Sequence, residues 1–112
     1  MLRQANTLQS SRIGQEARLS QQSLALRVLQ QRPDAARQFE ALFAQAQHPA
    51  GKIYALIGLK ETNPAQYQRL KAGLDPEQKV RVRSADVIFE ETVSALLVRI
   101  ESGDLRYFIL DN

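Results

Sequence analysis

The sequence predicts a mainly α-helical fold: one domain, residues 1–112, built as a bundle of about five helices. HEAT-like packing of helix pairs is one arrangement open to it, and a short two-stranded element is expected near the C-terminus. Three observations carry this. Apolar residues recur at helical spacing in several segments joined by short turns. The four prolines and five glycines fall mostly between those segments. The longest nearly unbroken apolar run, Gly51–Leu59, has Lys52 as its only charge and lies between Pro49 and the Asn63-Pro64 turn. That run reads as a short, almost wholly buried central helix on which the rest packs.

Residues 1–18 are expected to be frayed or extended, because apolar spacing is sparse and Gly14 costs about 1 kcal/mol of helix propensity relative to Ala. Thr7 or Ser10 is a candidate cap for the first helix. Ala17, Leu24 and Val28 form a helical stripe, with Leu19, Leu26 and Leu29 beside it, predicting a firm helix of about 15 residues that ends near Gln31. This Gln/Arg-rich helix is also a candidate for pairing with a copy of itself as a homodimer. Arg32-Pro33-Asp34 starts the next helix, 34–47, with Ala35, Phe39, Leu42, Phe43 and Ala46 on one face. Pro49 opens the central helix, 50–60, whose Gly51, Ala55 and Gly58 allow a neighbour to approach closely. Asn63 caps, and Pro64 begins, a helix running to Ala72, with Tyr67 and Leu70 inward and Gly73 as a left-handed end.

Lys79-Val80-Arg81-Val82-Arg83 alternates, which is the period of a half-exposed strand. Ser84 or Asp86 is expected to cap a helix over 86–102, ended by Gly103. Arg106–Leu110 is apolar and β-prone, and is expected to pair with residues 80–82.

Composition bounds function mainly by exclusion. The chain is 44% hydrophobic and 24% charged, as an ordinary globular domain is. Without cysteine there is neither disulfide nor thiolate ligand. No run approaches the roughly 18–20 apolar residues of a membrane span, and the first residues lack the apolar core of a secretory signal. A cytoplasmic protein is expected, or a periplasmic one from which a leader has been removed. Net charge is +3 and unevenly held: residues 1–56 carry seven Lys/Arg against three acids, residues 57–112 eight against nine. The arginines are dispersed, as on a solvated helical surface.

No residue set specifies a reaction or a cofactor. His48 sits at a helix end, where it complements the carbonyl dipole of helix 34–47. Asp86, Glu90 and Glu91 read as an N-cap and dipole-complementing acids; the sharper reading, a carboxylate pair for a hard cation or acid–base work, is secondary. Gly51-Lys52 does not make a phosphate loop, because Ala46 and Ile53 stand where glycine and Ser/Thr are required. Lys79, Arg81 and Arg83 share one face of their strand. They read as edge protection or a protein contact, and alternatively as cations for a single-stranded nucleic acid beside Tyr107 or Phe108.

Gly51-Lys52-Ile53-Tyr54-Ala55-Leu56-Ile57-Gly58-Leu59, with Tyr67, Val80, Val82, Val87 and Ile88, resembles a pattern in small bacterial helical proteins of unassigned function. The resemblance spans about residues 49–103 and is similar in style to immunity or antitoxin proteins that block a toxin by surface contact. Such proteins often carry a Gly-Cys pair where this chain has Ala85-Asp86, so no role passes through that cysteine. The resemblance implies a protein partner and no catalytic residues. The function expected is therefore a non-enzymatic protein-binding module, without cofactor or membrane, using Arg27, Lys79, Arg81 and Arg83. The alternative is a nucleic-acid-binding accessory protein using Arg12, Arg18, Arg27, Arg81 and Arg83.

Overall fold

The structure is a computed structural model that describes residues 2–5, 7–13, 18–19, 21–85, 87–106 and 108–109. It shows a mainly helical fold, with five helices of eight residues or more among the described residues and a small mixed sheet. In order come a short 3-10 turn (Leu2–Gln4), β1 (Thr7–Ile13), β2 (Arg18–Leu19), α1 (Gln21–Gln30), α2 (Ala35–Gln45), α3 (Pro49–Thr62) and α4 (Pro64–Lys71). After these come β3 (Lys79–Ala85), β4 (Val87–Thr92), α5 (Val93–Ser102) and a terminal turn, α6 (Asp104–Arg106).

The apolar run becomes α3, buried continuously from Ile53 to Leu59. A helix apolar on all sides must be covered on all sides. It is shared by α1, α2, α4, β1 and β3, so the helices gather around one member instead of stacking as successive pairs. Two glycines set how closely its neighbours approach. A Cβ on Gly58 would overlap the outer atoms of the Phe39 ring, and one on Gly51 would lie 2.9 Å from the Leu2 carbonyl oxygen. The turn residues work as their chemistry requires. Pro49 occupies the first turn of α3, and the Asn63 side chain accepts from the Gln66 N–H at 3.3 Å to cap α4. Gly103, at φ 85°, ends α5 in the left-handed region.

The sheet has the order β2-β1-β3-β4, with β1 parallel to β3 and the other two pairs antiparallel. Alternation along β3 points Val80 and Val82 into the core while Lys79 and Arg81 stay exposed. Tyr54, fully buried in α3, donates from its hydroxyl to the Thr7 carbonyl at 3.5 Å, linking the central helix to β1.

Several local expectations are corrected. Thr7 and Ser10 lie within β1, not at the start of a helix, and the helix after them is the ten-residue α1. Within α1, Leu26 is the fully buried residue, whereas Leu24 and Val28 of the expected core stripe are 43% and 62% exposed. The helix expected over 86–102 divides. Val87–Thr92 pairs with β3, and the Thr92 hydroxyl accepts from the Ala95 N–H at 3.2 Å, so the helix starts at Val93. Val87, Ile88 and Phe89 are strong strand formers, and pairing with β3 satisfies backbone groups that a helix would otherwise have bonded. Residues 80–82 therefore have β1 and β4 on their two sides and leave no edge for 106–110. Asp104–Arg106 is helical instead, with Phe108 and Ile109 buried beyond it. Tyr107 and Leu110 lie outside the described residues, as does Asp86 of the expected carboxylate cluster. Gly73 is not left-handed: right-handed Ala72 ends α4, and successive bonds from Gly73 N–H to Leu70 and Leu74 N–H to Lys71 turn the chain.

Candidate protein-binding surfaces

The strand register brings Lys79, Arg81 and Arg83 onto one face of the sheet. Across the ladder on β4 they face Thr92, Glu90 and Ile88 respectively. The row is thus interrupted: the acid Glu90 stands directly opposite the central cation. A phosphate backbone following this row would pass beside Glu90, whereas a protein surface of mixed charge would not be penalised. Arg27 is exposed in the last turn of α1, an element that packs on β1, α2 and α3, so it does not join the row. Arg12 and Arg18 lie on β1 and β2, each in register with a residue of the other strand.

A second surface was not anticipated from the sequence. Between α1 and α2 runs a groove of about 490 Å³ whose floor is Leu2, Ala25, Val28, Leu29, Ala41 and Leu42. Ala25, Val28 and Leu29 come from α1 at helical spacing, and Ala41 and Leu42 from the facing side of α2. Arg3 is the one charged residue in the lining among the described residues; its guanidinium donates to the neutral Gln45 Oε1 at 3.1 Å. The signal was present in the sequence as apolar residues on two sides of α1. Only one of those sides is needed for the core.

A third concavity, about 390 Å³, lies where α3 begins, beside the loop before β3, and includes His48, Lys52, Asp75 and Gln78. Lys52 and Asp75 have structural tasks there, whereas the His48 side chain makes no cap bond. His48 occupies the N-cap position of α3, not a bonded cap on α2. Lys52 Nζ lies 5.2 Å from the Phe43 ring centroid, and Asp75 Oδ1 accepts from the Glu77 N–H at 3.0 Å to close the turn.

The strongest polar networks fasten elements to one another. Arg99 on α5 joins Glu91 of β4 at 3.0 Å and Asp104 at 2.8 Å, with its guanidinium 5.2 Å from the Phe108 ring. Burial opposes its charge, but the bonds to Asp104 and Glu91 prevail and hold its pKa above the usual arginine range. Glu91 and Glu90, neighbours in β4, point to opposite faces, so they do not form a carboxylate pair. Elsewhere, Glu101 accepts from Lys71 at 3.0 Å and from the Tyr67 hydroxyl at 3.2 Å. The Lys71 bond, with the Lys71 charge, the Tyr67 bond and the Lys60 charge in descending order, outweighs burial and draws the Glu101 pKa down. Burial, reinforced by Glu101, pushes the Tyr67 phenol well up. No group of three His, Asp or Glu side chains converges for a metal ion among the described residues, and no helix among them is long and apolar enough to cross a membrane. Comparison with protein-family models, curated proteins and solved structures returned no match.

Proposed function

We propose that this protein is a non-enzymatic protein-binding module whose α1–α2 groove receives an amphipathic helix with acidic flanks from a partner protein. One observation carries the reading: α1 bears a second apolar stripe, Leu24 and Val28, which the fold leaves 43% and 62% exposed beside a groove with an apolar floor. A slot between two helices fits a third, which would lay its apolar face in it. Charge favours an acidic occupant. Among the described residues Arg3 lies in the lining and no acid does, while Arg27, Arg32 and Arg37 stand on the same helical hairpin with Asp34 and Glu40. Inhibition of a toxin by surface contact is one form such a module would take, and the immunity-like resemblance supports that form.

The test uses a short amphipathic peptide with leucines at helical spacing and glutamates on its flanks, set against the same peptide with lysines. Fluorescence anisotropy should show the acidic peptide binding and Val28→Glu weakening it about tenfold or more, equivalent to about 1.4 kcal/mol. Val28 is mostly exposed, so the variant should keep its fold. Equal binding of both peptides, or none of either, overturns the reading.

A further inference from the structure

The outer edge that β4 forms among the described residues makes a case independent of the groove. Among the described residues β4 ends the sheet, and it exposes 59% of Val87 and 54% of Ile88. An exposed apolar strand edge is a template for another strand. The phase of the ladder shows which groups it offers. Val93 N–H bonds to the Gln78 carbonyl at 2.8 Å. In an antiparallel ladder bonded and non-bonded pairs alternate, so Val80/Glu91, Val82/Phe89 and Ser84/Val87 are the bonded pairs. The N–H and C=O groups of Ile88 and Glu90 consequently face outward from the sheet.

We infer that β4 pairs antiparallel with β4 of a second copy, about a twofold axis through Phe89, joining two four-stranded sheets into one. Three centres would present outward-facing groups to one another. Centring on Glu90 sets two carboxylates directly opposite, which is destabilising. Centring on Ile88 carries the groups of Glu90 past the start of the partner strand at Val87. Centring on Phe89 bonds Ile88 to the partner's Glu90, and Glu90 to the partner's Ile88, using both outward-facing residues. It also sets Phe89, which is half-buried, against the partner's Phe89 on the core side. The charges at this seam have cations on their own chain: Arg81 stands opposite Glu90, and Arg99 bonds Glu91 at 3.0 Å. No acid needs the partner to neutralise it, and the seam sets no two acids in opposition.

The chain has no cysteine, so single-cysteine variants report only the thiol introduced. At a non-bonded antiparallel pair the Cα atoms lie about 4.5 Å apart, within disulfide reach. Under mild oxidation Phe89→Cys should give a disulfide dimer. Because this change also reduces the core, a second design uses exposed positions. Ile88→Cys and Glu90→Cys should each stay largely monomeric alone, but cross-link to each other when mixed, with the mixed dimer at least about fivefold above either self-pair. Ile88→Pro removes an N–H that faces only the open edge, and should abolish sedimentation-detected dimer while circular dichroism remains that of the native fold. Cross-linking that is equal for Ile88→Cys and Glu90→Cys alone and mixed overturns the register. A chain that stays monomeric at millimolar concentration, or a dimer that Ile88→Pro leaves intact, overturns the interface.

Discussion

Replacing Gly58 by alanine would set two effects of opposite sign against each other. In an unobstructed helix interior the change stabilises by about 1 kcal/mol, because alanine loses less backbone entropy. Here the added methyl would clash with the outer atoms of the Phe39 ring, which is fully buried between α2 and α3. The ring cannot swing toward solvent, so α2 must move away or the ring must leave its rotamer. Overpacking of this kind costs about 1–3 kcal/mol, and the depth of overlap places this case toward the upper end. The expected net effect is a loss of about 1–2 kcal/mol, or roughly 4–8 °C in Tm for a domain of this size. The decisive assay is a double-mutant cycle by urea denaturation. In a Phe39→Leu background the obstruction is largely gone, so Gly58→Ala should become neutral or stabilising, with a coupling energy of about 1 kcal/mol or more. If Gly58→Ala raises Tm in the native background, or costs the same in both, the close approach of α2 to α3 is not what Gly58 provides.

Two further outcomes test the core and its pH dependence. Tyr54→Ala should destabilise the domain by about 3 kcal/mol in urea, because its ring is fully buried against the sheet; a loss under about 1 kcal/mol would mean that the ring is dispensable. The Tyr67 phenol has its pKa raised by burial and by Glu101, so the folded state resists ionisation that the unfolded chain accepts. That contribution is complete below about pH 10 and is lost as pH rises toward the folded-state pKa. Stability should therefore fall above about pH 10, and Tyr67→Phe should flatten the decline; an unchanged slope in the variant would remove Tyr67 as its cause.

The parts of this fold legible in the sequence are those whose causes are local. Pro49, Asn63 and Pro64 mark the ends of α3 and the start of α4, because a cap or a missing N–H acts within one turn. Alternation in Lys79–Arg83 identifies β3 for the same reason. The parts that were not legible depend on distant partners. Thr7–Ile13 is mostly polar, and it becomes a strand by lying in register with β3, Thr7 beside Arg81. Val87-Ile88-Phe89 is an unbroken run of β-branched and aromatic residues, which suits a strand, and, read together with Val93, Leu96 and Ile100, it also suits period 3.6. Pairing with β3 decides between them. Among the candidate site residues, Lys79, Arg81 and Arg83 do share a face, because alternation is a local rule. Their separation from Arg27, and the interruption by Glu90, come from packing and register across the chain.

Apolar exposure needs the same discrimination by context. Val98 on α5 is 68% exposed, more than Val28 in the groove or Val87 and Ile88 on the β4 edge. Isolated exposed apolar side chains are normal on folded proteins and require no partner. Val28 differs because its neighbours Ala25 and Leu29 continue it into a concavity that α2 completes. Ile88 differs because its backbone N–H and C=O face the outer edge of the sheet, and its neighbour Val87 is exposed as well. In both places the exposed side chain belongs to a geometry that a particular kind of element would complete: a helix in the groove, a strand on the edge. The two surfaces require different elements, so a variant at Val28 and a variant at Ile88 should fail independently. That independence is what separates two built interfaces from a general excess of surface hydrophobicity, which either substitution to a polar residue would relieve in the same way.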